Sequence, residues 1–304
     1  MTVLTLNNEQ VSNLITVSEC ISVVEEVFKD LSISQMPPKV YMNIPNGDFR
    51  AMPAVVGNTA GIKWCGVHLD ETGTKRKINI FAKVLINDIN SGSLLAIMDG
   101  ESITAIRTAA VTGLATKYIC KEGASVASFV GCGNQTKFQI DAILAVRPIE
   151  KIKLFDLDKS RAEYMGTLFD VPFVVCESLE ECVGDTDIVT TLTPSRTGFI
   201  KHEWLDETVH INAIGADAEG KRELESSVLD NVDYVVYDNW EQCSHSGEIQ
   251  YVAYDDRKQA WSSLGDIVSG GSAIFGKQTL FDATGLAIED VAVGRYIYEK
   301  EISK

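Results

Sequence analysis

The run VASFVGCGNQTKFQIDAIL (Val126–Leu144), followed by IKLFD (Ile152–Asp156), decides the fold. An apolar strand leads into a glycine-broken turn, an amphipathic helix, and a second strand that ends in an acid. Gly131 and Gly133 let the chain turn tightly and let backbone come close to a pyrophosphate, whose charge is met by free amides at the helix start. Thr136 stands where the usual pattern has its third glycine, a helix-packing position open to other small residues. Asp156 follows twenty positions later, where a carboxylate accepts bonds from both ribose hydroxyls and repels a 2′-phosphate, which points to NAD over NADP.

The chain around this unit has 304 residues, enough for two domains. Its 45% hydrophobic and 23% charged content is that of a soluble globular protein. A formal charge of -16 argues against nucleic acid or an anionic membrane as partner, since both need clustered Lys and Arg. No apolar run reaches the length of a membrane helix and MTVLTLNNEQ is not a signal peptide, so a cytoplasmic location is expected. The seven cysteines never fall as CxxC and the four histidines show no ligand spacing, so no metal is expected.

Residues 8–30 have helical apolar spacing with Asn and Ser available as caps. From Lys39 to Asp99 the pattern turns to strands, KVYMNI, FRAMPAVV, AGIKWCGVHL, INIFAKVLIND and SLLAIMDG, with turns at PNGD and NSG. ESITAIRTAAVTGLATKYIC reads as one long helix. Five strand-like runs, SVASFVG, KIKLFD, DIVTTL, VHINAIG and YVVYD, then alternate with helical segments, which builds a doubly wound parallel sheet. The expected architecture is α/β: a Rossmann domain over residues 122–282 and a second, α+β substrate and dimerisation domain from 1–121 plus 283–304. Ligands of such sheets bind at the carboxyl ends of strands, here Gly131, Gly133, Asn134 and Gln135, then Asp156, Thr191 to Ser195 including Thr193, Gly215 to Asp217, and Asp238.

Four polar residues interrupt apolar or small surroundings: Arg50 in FRAMPA, Lys63 in GIKWCG, Arg107 in ITAIRTAAV and Asp217 in AIGAD. A buried cation needs a partner or a ligand, and a carboxylate substrate, the cofactor's phosphates or an internal ion pair would each serve. Beside a nicotinamide the set suits oxidation of an α-amino acid, in which hydride leaves the α-carbon and an iminium remains. Cations grip the carboxylate and Asp217 takes the amine proton, although Asp217 also fits a helix N-cap ahead of AEGKREL.

Over nearly its whole length the chain resembles the ornithine cyclodeaminase and mu-crystallin family, most closely its archaeal-type alanine dehydrogenase branch. MPPKVY, GDFRAMPA, IRTAA, GCGNQTKFQ, TLTPSR, HINAIGADAEGKREL, SGEI and FDATGLAIEDVAV carry the resemblance. It implies a homodimer in contact through the first domain, Lys63 and Arg107 on the substrate carboxylate with Lys39 beside them, and Asp217 as catalytic acid or base. Lys63 joins Asp217 as a catalytic candidate, Arg107 is also a cofactor contact, and Lys221 and Thr284 fall among the cofactor contacts. Cyclodeaminases of the family carry a glutamate where this chain has Arg50, facing the distal ammonium of ornithine. An arginine there favours alanine or another short or acidic α-amino acid. Ornithine cyclodeamination, reduction of a cyclic ketimine, and non-catalytic binding in the manner of mu-crystallin are the competing readings. His68, Asp70, Glu71 and Lys77 depart from the family pattern and either reshape the pocket or decorate a hairpin.

Overall fold

The computed structural model describes residues 2–70, 77–252, 260–270 and 277–304. They form two compact units, one made of residues up to Thr108 together with Leu286–Lys304, the other Ala109–Gly285. The helix Gly100–Ile119 runs unbroken through the first division, so the units part within it and not after residue 121.

In the first unit the strands Val40–Ile44, Gly47–Val56, Thr59–Asp70, Lys77–Asp88 and Leu94–Asp99 pair antiparallel in sequence order. Leu4–Leu6 adds a parallel strand at one edge, which local pattern gave no reason to expect. Asn8–Ser12 and Val17–Lys29 are helices, each opened by a capping box, with Asn7 and Thr16 as the caps. Period-two alternation splits the sheet into unlike faces. Arg50, Met52, Lys63, Cys65, Ala82 and Val84 are buried on one, while the rows Val40–Ala51–Trp64–Lys83 and Met42–Phe49–Gly66–Phe81 lie on the other. The closing helix Ala287–Ile302 covers the first face. Contact is close enough that a Cβ on Gly61 would meet the Val291 side chain at 2.9 Å, and one on Gly294 would meet Ile86 at 2.8 Å.

The second unit holds an eight-stranded parallel sheet. Its spatial order is Phe173–Val175, Lys151–Phe155, Val126–Val130, Ile188–Thr191, Val209–Ala213, Gln278–Asp282, Tyr234–Tyr237 and Ala260–Ser263. Chain direction across the sheet reverses between Val126–Val130 and Ile188–Thr191, which makes the crevice outside their carboxyl ends the topological switch point. The last strand in sequence, Gln278–Asp282, is inserted between two earlier ones, so Asp238 stands away from that crevice. Asp238 is spent on structure instead: its Oδ2 accepts from the amides of Thr284 (2.7 Å) and Gly285 (2.8 Å).

Candidate active site

At the switch point Gly131 has φ of 96°, a conformation that suits glycine, and its amide donates to the Phe155 carbonyl at 2.8 Å. A Cβ on Gly131 would come within 3.0 Å of the Leu192 carbonyl oxygen, whereas one on Gly133 would meet nothing within 4 Å. The first glycine therefore serves the turn, and the second leaves backbone open to a ligand. Thr136 replaces the third glycine by donating its hydroxyl to the Gly131 carbonyl at 2.7 Å, which fastens helix Thr136–Val146 to the turn. Gln135 keeps a buried Oε1 without a hydrogen-bond partner, and Asn134 is exposed.

Asp156 follows the second strand. Its Oδ2 accepts from the Cys132 amide at 2.7 Å and its Oδ1 from the Asp158 amide at 2.8 Å, so backbone donors aim the carboxylate while its other lone pairs can take ribose hydroxyls. The glycine turn, the open approach at Gly133, the orphaned Gln135 oxygen and the oriented acid fit an adenine dinucleotide. Further along the strand ends lie buried Thr191, then Thr193, Gly215 and the loop bearing Asp217. The Asp217 carboxylate is partly exposed and forms an ion pair with Lys221, whose Nζ also donates to the Gly215 carbonyl at 3.3 Å. Lys221 thus ties the acid to the loop that carries Gly215. Thr284, expected on the cofactor-facing wall, is buried with its amide on Asp238.

In the other unit the sheet and the closing helix bring Lys63 and Arg107 together. Lys63 is 2% exposed and Arg107 5%. Lys63 Nζ lies 3.0 Å from Asp290 Oδ1 and 2.9 Å from Oδ2. Arg107 donates through Nε to Asp290 Oδ1 (3.0 Å) and through Nη1 to Glu289 Oε2 (2.8 Å). Both acids sit in the first turn of helix Ala287–Ile302, where the helix dipole favours negative charge. Burial and the neighbouring Arg107 charge push the Lys63 ammonium's pKa down, against the pull of Asp290. Burial also opposes charge on Arg107, but Asp290 and Glu289 outweigh it and hold the guanidinium protonated.

Arg50 lies on the same buried face, opposite Cys65 and two register positions from Lys63, and both cations act on the Cys65 thiol. Its Nε donates to Asp48 Oδ1 at 2.6 Å and its guanidinium covers the Tyr41 ring at 5.3 Å. Lys39 is half-buried just before strand Val40–Ile44. His68 is set edge-on to Phe49 at 5.7 Å, while Glu71 and the side chains of Asp70 and Lys77 lie outside the described residues.

Sequence reasoning missed the acids: Glu289 and Asp290, which hold the cations, and Glu223, which binds the amides of Thr193 and Gly215. An adjacent acid pair with apolar neighbours on both sides, as in AIEDVAV, is the signal that could have found the first two. All seven cysteines are buried and unbridged, and among the described residues no three metal-ligating side chains converge. No described helix is long and apolar enough to cross a membrane.

The doubly wound sheet with its glycine turn and strand-end acid defines a dinucleotide-binding protein. The chain belongs to the ornithine cyclodeaminase/mu-crystallin family, whose model matches residues 2–304. It is 37% identical to an alanine dehydrogenase of Archaeoglobus fulgidus, covering 100% of this chain and 97% of that protein. Among solved structures it is similar to an archaeal alanine dehydrogenase dimer with bound NAD, with a TM-score of 0.91, 36% identity, and 100% and 97% of the two chains covered. It is also similar to the Thermococcus litoralis Delta(1)-pyrroline-2-carboxylate reductase in complex with NADH and L-proline, with a TM-score of 0.91, 28% identity, and 99% and 98% covered.

Proposed function

We propose that this protein interconverts a short α-amino acid with its 2-oxo acid and ammonia, alanine and pyruvate being the pair. It is an NAD-dependent enzyme of its family, and Arg50 carries the choice of substrate. A guanidinium on the buried face beside Lys63 and Cys65 repels the distal ammonium of ornithine and tolerates a methyl or a second carboxylate. When bound, NAD would accept hydride from the α-carbon of the amino acid, and water added to the iminium left behind would supply the oxygen of the 2-oxo acid as ammonia departs. Lys63 and Arg107 bind the substrate carboxylate, with Lys39 assisting, and the lowered pKa of Lys63 lets it yield a proton more readily than an exposed lysine. Asp217, ion-paired with Lys221, takes the proton from the substrate amine. Gly131, Gly133, Asn134, Gln135, Asp156, Thr191, Thr193, Gly215 and Lys221 form the cofactor set, without Thr284, whose amide is spent on Asp238.

The test is NADH absorbance from purified protein, NAD and a panel of amino acids. Alanine is expected to give the largest kcat/KM. No NADH from any member of the panel, together with proline formed from ornithine, would establish cyclodeamination in its place. Faster NADH consumption with pyrroline-2-carboxylate than with pyruvate and ammonia would establish ketimine reduction.

A homodimer through the first unit is part of the same reading. Its sheet turns Val40, Met42, Trp64 and Phe81 outward on the face opposite the cations, with Trp64 41% and Phe81 64% exposed and Phe49 stacked on Trp64 at 5.5 Å. An apolar face of this kind is what a self-complementary interface needs. Sedimentation is expected to give a dimer for the natural protein and a monomer for Phe81→Glu. A natural protein that sediments as a monomer at micromolar concentration rules the interface out.

A further inference from the structure

The buried carboxylate of Glu223 has no part in the chemistry above, yet it holds two of the loops that the chemistry uses. Glu223 lies in strand Arg222–Leu224 and is 0% exposed. Its Oε1 accepts from the Thr193 amide at 2.6 Å, and its Oε2 accepts from the Gly215 amide at 2.9 Å. Those amides stand just past the carboxyl ends of two adjacent parallel strands, Ile188–Thr191 and Val209–Ala213. Packing is so close that a Cβ on Gly215 would fall 2.4 Å from Glu223 Oε2. The glycine of the AIGAD run is therefore required by this carboxylate, whatever a ligand may also demand.

Glu223 is itself held in place. Glu248 Oε1 accepts from the Glu223 amide at 2.5 Å and Glu248 Oε2 from the Leu224 amide at 3.3 Å. Asp282 Oδ2 in turn accepts from the Ile249 amide at 3.0 Å, and a Cβ on Gly247 would fall 2.4 Å from that oxygen. Burial raises the pKa of Glu223, against the Thr193 donors, and it pushes Glu248 up to about 9 and Asp282 to about 8. Side chains so costly to bury stay buried here because backbone amides that would otherwise lack acceptors depend on them.

We propose that Glu223 is a positioning residue for the reaction: by tying the Thr193 and Gly215 amides to one rigid carboxylate, it fixes the spacing of the loops that carry Thr193 and Asp217. The proposal rests on the NAD reading above. Glu223→Gln tests it, because a carboxamide has one oxygen to offer two amides and turns its NH₂ toward the other. The folded variant is expected to bind NADH about tenfold more weakly or worse by fluorescence titration, with KM for NAD raised and kcat lowered together. A merely structural role would reduce the folded fraction and leave the affinity of that fraction unchanged. Glu223→Gln protein that binds NADH and turns over as the natural protein does overturns the proposal.

Amide hydrogen exchange on the unmodified protein supplies a second arm that needs no variant to fold. Slow exchange at both Thr193 and Gly215 without cofactor is expected, and rapid exchange at both overturns the tie. Slow exchange at both in a protein that binds no NADH overturns the cofactor reading, and the positioning role with it, while the tie itself stands.

Discussion

Asp217→Asn is expected to lower kcat by about 100-fold or more, the usual weight of a positioned general base, while NADH binding stays within a few-fold of the natural protein. The two carboxyl oxygens become one oxygen and one NH₂ of nearly the same shape. The remaining oxygen can still meet Lys221, whose second bond, to the Gly215 carbonyl, holds the loop from the other side. What disappears is the group able to accept a proton from the substrate amine. Steady-state rates with NAD and alanine, set beside a fluorescence titration with NADH, separate the two effects. Turnover within a few-fold of the natural rate would remove Asp217 from the chemistry. Absence of any turnover in the natural protein, with NADH still bound, would favour a binding role like that of mu-crystallin.

The largest effect on stability is expected from Asp290→Ala. One carboxylate serves both Lys63 and Arg107, and all three side chains are almost wholly buried. Removing one partner of a buried pair leaves an uncompensated charge and costs about 3–5 kcal/mol. Against a total of about 5–15 kcal/mol for a typical protein, that moves the urea midpoint far down or prevents accumulation of folded protein. Glu289 still meets Arg107, so Lys63 bears most of the loss. Asp290→Asn, which keeps an acceptor of the same shape, should fall between Ala and the natural protein. An Asp290→Ala midpoint indistinguishable from the natural one would mean that Lys63 reaches another acceptor or sits neutral.

The elements most legible in the sequence are those whose signal is local. Strand alternation from Val40 to Asp99 and the glycine turn after Val130 each rest on neighbours within a few residues, and the structure has them where the pattern put them. Leu4–Leu6 is too short to show a period, and it becomes a strand only because Leu94–Asp99 offers it an edge. The position of Gln278–Asp282 between two earlier strands was likewise invisible, since sheet order is set by packing across the whole unit. The candidate site divides in the same way. Gly131, Asp156, Lys63, Arg107 and Asp217 stand out against their immediate surroundings. Glu223 and Glu248 look like ordinary acids in polar surroundings, Asp290 is set apart only by the apolar neighbours of its acid pair, and the weight of all three comes from partners that their neighbours in sequence do not reveal.

The closing helix also bears on the order in which the molecule assembles. Lys63 meets Asp290 across 227 residues, and Arg107 meets Asp290 and Glu289 across 183 and 182. On a ribosome, the whole of Ala109–Gly285 emerges before either acid does. The nucleotide-binding unit therefore has its full sequence first, while the first unit must keep two cations solvated and one sheet face uncovered until the last turns of chain arrive. Contacts of such long range are slow to close and leave apolar surface open in the interval. Synthesis interrupted near residue 285 would yield a complete dinucleotide fold attached to a sheet that cannot bury its own charges.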